Sequence, residues 1–214
     1  MKSTFSGLVA ATLLTVAAPA GHATVIITAG NNPQPGEETV QLEAQQTGTT
    51  ITGDTNQSNT GVQVTSTQTL MSQGEGQSSI EPAPPATHIT FWDFSSPGHT
   101  FGDFIFDASN AGEGGGGGTA TITATEPNGT TTTGSFSLRT DGQNFFTVTT
   151  ADGETIKDVA FFVDGTGILS LDQLRVSELS GVSILEPATL GLLGVGLLGL
   201  GVAVRRRIKV SPPT

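Results

Sequence analysis

Residues 141–177, DGQNFFTVTTADGETIKDVAFFVDGTGILSLDQLRVS, decide the fold class of this chain. Three runs rich in β-branched and aromatic residues follow Asp-Gly pairs that begin at Asp141, Asp152 and Asp164. Asp-Gly favours tight turns because glycine adopts positive φ without steric cost, whereas Val, Ile, Thr and Phe favour extended backbone. The spacing of the pairs, about eleven residues, is typical of short antiparallel strands. This stretch therefore predicts three strands separated by turns.

The same pattern extends over the rest of the body of the chain. Short runs of β-formers are broken by Gly, Asn, Asp or Pro, and no run has a helical period of useful length. The pattern predicts one all-β domain over residues 24–182, a β-sandwich of jelly-roll type. A Pro-rich connector at 81–88 and a Gly-rich loop at 111–119 interrupt it. The loop contains the letters GxGxxG, but no βαβ unit surrounds them, so they predict no phosphate site.

Charge and cysteine content limit the classes of partner and of stabilising bond. Of the 19 acidic residues, 18 lie between Thr24 and Leu185, together with only three basic ones. Such a body repels a polyanion, so no nucleic-acid partner is predicted. The chain has no cysteine. Disulfides are therefore excluded, and stability has to come from a packed core or from bound ions.

The N-terminal segment has the features of a secretory signal peptide. Lys2 provides the positive charge, and Gly7 to Ala18 form an apolar run that is too short to cross a bilayer of about 30 Å. Small residues precede Ala20 and Ala23, the two predicted cleavage sites, of which Ala23 is favoured. Residues 1–23 are therefore predicted to be removed on export.

The C-terminal segment predicts a membrane span. Residues 188–204 are apolar apart from Thr189 and would form a helix of about 25 Å, close to the minimum for a span. Arg205, Arg206 and Arg207 follow directly, and a basic cluster of this kind stays on the cytoplasmic face. The predicted precursor therefore has its body outside the inner membrane and residues 208–214 as a short cytoplasmic tail.

Leu185, Glu186, Pro187 and Ala188, followed by the Leu/Gly-rich span and the basic cluster, resemble the PEP-CTERM sorting signal of Gram-negative bacteria. The resemblance covers residues 183–207, and Leu185 stands where the family has its first proline. It implies that an exosortase-like membrane enzyme cleaves the precursor near this motif. The body would then reach the cell envelope, the outer surface or the medium, in bacteria that typically make exopolysaccharide.

Four residues in the predicted turns are candidate calcium ligands: Asp141, Asn144, Asp152 and Glu154. Carboxylate and amide oxygens on loops suit Ca²⁺, which prefers six to eight oxygen ligands. The alternative is that these residues only form hairpin turns, as Asp-Gly pairs commonly do. No cofactor other than calcium is predicted.

Trp92 is the only tryptophan and lies between Phe91 and Phe94. Because alternate residues of a strand face opposite sides, Trp92 and Phe94 share one face. That face either belongs to the core or, as the functional alternative, gives Trp92 a sugar-stacking role at the surface.

The sequence does not predict an enzyme, since it has neither a cysteine nucleophile nor a G-x-S-x-G motif. The leading prediction is a non-enzymatic envelope or matrix protein, delivered by its tail and associated with exopolysaccharide. The alternative is a polysaccharide-binding β-sandwich module, with or without calcium. A weaker third is a secreted glycoside hydrolase, which would use a carboxylate pair such as Asp103 and Asp107, or Asp152 and Glu154.

Overall fold

The structure is a computed structural model, and it describes residues 25–43, 45–73, 78–110, 117–151 and 153–181. The predicted signal peptide (1–23), the sorting signal (183–207) with its helix (188–204) and the tail (208–214) lie outside the described residues. Within the described ranges there is no helix with the length and apolar character that a membrane span requires.

The described residues form β-strands and no helix, which confirms the all-β prediction. The strands are β1 (Val25–Ala29), β2 (Glu38–Leu42), β3 (Thr47–Thr55), β4 (Gly61–Ser72), β5 (Ser79–Pro82), β6 (Phe91–Ser95), β7 (His99–Thr100), β8 (Asp103–Ser109), β9 (Gly117–Thr125), β10 (Thr131–Leu138), β11 (Phe145–Thr150), β12 (Asp158–Gly167), β13 (Ser170–Ser177) and β14 (Ser180–Gly181).

Two of the three Asp-Gly pairs lie between strands as predicted, and the third does not. Gly142 and Gly153 have positive φ of 84° and 78° in the connections on either side of β11. Gly165, in contrast, lies inside β12, where the register with β9 shifts at a β-bulge. The predicted turn at Asp164 is therefore wrong. A side chain at Gly165 would come within 2.7 Å of the carbonyl oxygen of Gly117, so glycine permits the close approach of two strands here.

The strand order differs from that of the predicted jelly-roll sandwich. Antiparallel pairing joins β13, β2, β3, β4 and β5, and β5 pairs β13 again, so that five strands close into a barrel. Strands β8, β11 and β1 extend the sheet from β13, and β6, β12, β9 and β10 extend it from β4. The closure depends on β5, which pairs Ile80 with both Leu171 and Ser72. Because β5 includes Pro82, the sequence predicted a connector beginning at residue 81 rather than a bridging strand.

The core lies where the two extensions face each other, and it is rich in aromatic side chains. Trp92 on β6 stacks on Phe161 of β12, with ring centroids 5.1 Å apart, and meets Phe106 of β8 edge-on at 4.8 Å. All three rings are completely buried. Aromatic pairs of this kind contribute about 0.5–1.5 kcal/mol each beyond the burial of their area. These contacts hold β6 and β12 against β8 without disulfides.

The ends of the long sheet, β1 and β10, lie side by side without pairing. Each has one hydrogen-bonded neighbour among the described strands, β11 for β1 and β9 for β10. They are close, since a Cβ built on Gly134 of β10 would lie 3.5 Å from the Cβ of Ile27 of β1. The seam between them opens into the groove described below.

Candidate functional site

Trp92 is not available as a sugar platform. Its side chain is completely buried, and its indole Nε1 has no hydrogen-bond partner in the described part of the chain. Phe94 on the same face is also completely buried. A sugar ring needs an exposed aromatic face, so the structure corrects the sugar-stacking prediction and supports the core alternative.

The candidate calcium ligands are not brought together. Asp141 lies before β11 and Glu154 lies after it, and the six residues of this strand span about 20 Å. Calcium binds its oxygen ligands at about 2.3–2.6 Å, so one ion cannot contact both side chains. Asp152 lies outside the described residues. Among the residues that are described, no three acidic or histidine side chains form a group suited to a metal ion.

Asn144 has a structural role instead of the predicted ligand role. Its carboxamide oxygen accepts a hydrogen bond from the backbone N–H of Arg139 at 2.8 Å, and its Nδ2 donates to the carbonyl of Ala108 at 3.0 Å. Its own backbone N–H donates to the Asp107 carboxylate at 2.8 Å. The side chain is buried, so it fixes the β10–β11 connection to β8 rather than presenting an oxygen to a cation.

Arg139 is held firmly at its backbone, while its side chain is exposed. Its carbonyl accepts a hydrogen bond from Asn110 Nδ2 at 2.8 Å, in addition to the bond that its N–H makes with Asn144. The preceding residue, Leu138, is buried in the core. The guanidinium therefore projects from a fixed point at the start of the connection.

This fixed point borders a groove of about 610 Å³ at the β1–β10 seam. Two segments that are far apart in sequence form it: the end of β1 with Gly30 and Asn31, and the continuous stretch from β10 through the β10–β11 connection to the start of β11. Phe136 of β10 is partly buried and packs on Phe146, with ring centroids 5.2 Å apart. The groove thus combines an aromatic surface with the polar side chains of Asn31, Arg139 and Gln143.

Arg139 differs from the other two cations of the described residues in having no acidic partner. Lys157 lies 4.0 Å from Asp158, and Arg175 forms a 2.7 Å ion pair with Glu37. Within the described ranges, no carboxylate lies within salt-bridge distance of Arg139. Among the described residues, the guanidinium at this groove therefore has no carboxylate partner, although the body of the chain is strongly acidic.

Asp103 and Asp107, one of the predicted carboxylate pairs, are almost completely buried on the outer face of β8. The loop that follows β1 covers this face. Asn32 of the loop donates its N–H to Thr147 Oγ1 at 3.1 Å, and Glu37 at the other end of the loop pairs with Arg175. The β10–β11 connection adds to this cover, since the backbone N–H of Asn144 donates to Asp107. The alternation of apolar and polar residues along β8 predicts an exposed face here, but these segments bury it.

Burial raises the pKa of both carboxyl groups. For Asp103 it raises the pKa to about 7, and the neighbouring charges of Glu37 and Glu178 add to the effect while Arg175 opposes it. For Asp107 it raises the pKa to about 6, although the hydrogen bond from the Asn144 backbone lowers it. One oxygen of each carboxyl group is buried without a hydrogen-bond partner in the described structure.

The two carboxyl groups do not form the pair that a glycosidase needs. Asp103 and Asp107 are four residues apart on one strand, a backbone separation of about 14 Å. Catalytic carboxyl groups of glycosidases lie about 5–9.5 Å apart on either side of an accessible bond. The second pair cannot be placed, because Asp152 lies outside the described residues.

The groove was not predictable from the sequence, because its side chains come from two segments more than a hundred residues apart with no common spacing. A signal was present only for Arg139, one of three cations in an acidic body.

Comparisons with curated proteins and with solved structures each found no match. Residues 186–207, which include Glu186, Pro187, Ala188 and the arginine triplet but not Leu185, match the family model of the PEP-CTERM protein-sorting motif. The chain therefore carries this motif, which supports an exported protein with a C-terminal sorting signal.

Proposed function

We propose that the chain is exported as a precursor, held in the inner membrane by residues 188–204, and cleaved by an exosortase-like enzyme between Leu185 and Ala188. The motif at residues 186–207 is the observation that carries this proposal. Pro187 favours cleavage at this place, since proline biases the residue before it, here Glu186, away from helical backbone, and a protease needs a non-helical substrate. The β domain then reaches the envelope, the outer surface or the medium.

The delivered β domain acts without catalysis, as a protein of the envelope or matrix associated with exopolysaccharide. Two features support this role. The described carboxylate pair, Asp103 and Asp107, is buried and too far apart for acid–base catalysis. The acidic surface keeps the domain soluble outside the cell.

The test of delivery compares a host that makes the processing enzyme with one that lacks it. With the enzyme, the β domain is recovered in the envelope or medium in a form shortened at its C-terminal end. Without it, full-length precursor accumulates in the inner-membrane fraction. Equal release from both hosts would show that an exosortase-like enzyme plays no part.

A second candidate function is polysaccharide binding, and the groove at the β1–β10 seam favours it. Its volume of about 610 Å³ lies within the range of small-ligand sites, about 300–1,000 Å³, and it places the ring of Phe136 beside amide and guanidinium donors. Retention of the protein on immobilised exopolysaccharide, with calcium and with EDTA, tests this function. Retention that needs calcium would favour a metal-dependent module.

A further inference from the structure

We propose that the groove binds an acidic sugar unit, whose carboxylate pairs with Arg139 while its ring lies against Phe136. This inference rests on the second candidate function, polysaccharide binding, and adds the class of sugar that the site selects. Three observations carry it: a guanidinium without a carboxylate partner among the described residues, the rigid attachment of Arg139, and the partly buried aromatic ring in the same groove.

The unpaired guanidinium identifies the charge of the ligand. Lys157 and Arg175 have acidic partners, Asp158 and Glu37, whereas no carboxylate of the described residues lies within salt-bridge distance of Arg139. A guanidinium presents its N–H donors in a planar fork that matches the two oxygens of a carboxylate. A sugar carboxylate therefore satisfies Arg139 better than a sugar hydroxyl does.

The rigid attachment lowers the cost of ordering the site. Both backbone groups of Arg139 are hydrogen-bonded, the N–H to Asn144 and the carbonyl to Asn110. Asn144 is itself bonded to Asp107 of β8. Binding therefore orders one side chain and not a loop, and such preorganisation increases affinity.

The aromatic ring and Asn31 supply the remaining contacts. Phe136 is supported from behind by Phe146, so its accessible face lies in the groove and suits the C–H face of a sugar ring. Asn31 uses its carboxamide oxygen to accept a hydrogen bond from Arg175 at 2.5 Å. Its Nδ2, which has no partner among the described residues, is the donor that remains for a sugar hydroxyl.

The acidic body sets an upper limit on the strength of binding. It carries 18 acidic and three basic residues between Thr24 and Leu185, so an acidic chain is repelled at long range. The contact with Arg139 acts at short range and determines which sugar is preferred. We therefore expect weak binding of single sugar units, with selectivity for the acidic sugar rather than high affinity.

The experiment titrates the chain without its signal peptide, in a detergent that has no sugar headgroup, with oligoglucuronate and with a neutral gluco-oligosaccharide of equal length. Isothermal calorimetry measures the dissociation constant, and saturation-transfer NMR reports the ring contacts. Two groove variants, Arg139→Gln and Phe136→Leu, are compared with the wild type. The matched control is Lys157→Gln, which removes the same charge away from this groove, beside Asp158.

We expect the wild type to prefer oligoglucuronate and Arg139→Gln to lower that affinity about tenfold, which corresponds to the loss of about 1.4 kcal/mol of binding free energy at an exposed position. The affinity of Arg139→Gln for the neutral oligosaccharide stays within about twofold of the wild-type value, because this ligand has no carboxylate to pair with Arg139. Phe136→Leu weakens both ligands, and Lys157→Gln leaves both unchanged. Arg139→Lys keeps the charge but not the planar set of guanidinium donors, so its affinity for oligoglucuronate should lie between those of the wild type and Arg139→Gln.

The possible failures are distinguishable. Equal binding of the two oligosaccharides, with no effect of Arg139→Gln, overturns the acidic-sugar site but leaves polysaccharide binding in place. Equal losses for Arg139→Gln and Lys157→Gln show a general charge effect and also overturn it. If neither oligosaccharide binds at millimolar concentration, while far-ultraviolet circular dichroism shows a folded protein, both the site and the second candidate function are wrong.

Discussion

Replacing Asp103 by asparagine is expected to increase the free energy of unfolding of the β domain relative to the wild type. This gain should be larger at pH 8 than at pH 5. The Asp103 side chain is almost completely buried, and burial raises its pKa to about 7, with Glu37 and Glu178 contributing. An amide of nearly the same shape has no charge to bury. The variant therefore removes a cost that the wild type incurs only when Asp103 is ionised.

The sign and the size of the effect follow from proton linkage. The folded state binds the Asp103 proton more tightly than the unfolded state, whose pKa is 3.8. The contribution of Asp103 to the free energy of unfolding is therefore fully present below about pH 4, and it decreases as the pH rises towards 7. Between pH 5 and pH 7 the loss is about 1.4 kcal/mol per pH unit, so it amounts to at most about 3 kcal/mol. The Asp103→Asn variant does not show this component of the pH dependence.

Urea unfolding at pH 5, 6, 7 and 8, monitored by the fluorescence of the single buried tryptophan, measures the free energy of unfolding. The control is Asp54→Asn, which removes one negative charge from an exposed position on β3. We expect the difference between Asp103→Asn and the wild type to grow in favour of the variant as the pH rises, and the control to change little. If Asp103→Asn loses the same stability at every pH, the ionised carboxylate is not costly in the folded state, and its interaction with Arg175 outweighs burial.

Three further predictions concern the connection, the ion and the tail. Asn144→Ala removes three side-chain hydrogen bonds, of which the two shorter ones join the Arg139 N–H and the Ala108 carbonyl, so we expect the free energy of unfolding in urea to fall by about 2–4 kcal/mol. Aspartate at this position keeps only the acceptor and should recover part of that loss. Exchange of millimolar calcium for EDTA should leave the melting temperature unchanged, because Asp141 and Glu154 lie at opposite ends of β11. A bound calcium ion at a hundredfold excess over its Kd would instead add about 2.7 kcal/mol to the free energy of unfolding. Replacing Arg205, Arg206 and Arg207 by serine removes the barrier that stops transfer, so unprocessed precursor should appear in the periplasmic fraction with its β domain folded.

Local features of the fold were predictable from the sequence where side chains and turns specify them directly. The alternation around Trp92 and Phe94 predicted a shared face, and the pairs at Gly142 and Gly153 marked the connections of β11. Features that depend on distant residues were not predictable. The barrel closes through β5, whose Pro82 suggested a connector, and the pair at Gly165 forms a bulge because β9 continues beside it.

The candidate site shows the same division between local and distant effects. Asp103 and Asp107 alternate with apolar residues, a pattern of a solvent-exposed face, yet distant segments cover them: the loop after β1 lies near Asp103, and the β10–β11 connection lies against Asp107. Asn144 was predicted from its residue type to bind a cation, yet the neighbouring backbone uses both ends of its carboxamide. The groove joins Asn31 to β10 and the β10–β11 connection, a separation of more than a hundred residues that no local motif records. The sorting signal, in contrast, is a contiguous linear motif, and the sequence alone identified it.

Mass spectrometry of the protein recovered from the envelope and from the medium tests the central claim most directly. Peptides that cover the β domain should be abundant, and the C-terminal peptide should end at one of the residues 185–187. Peptides from Gly191 to Arg205 should be confined to the inner-membrane fraction. If the abundant extracellular form still contains these peptides, the segment is a permanent membrane anchor, and the account of sorting and release is wrong.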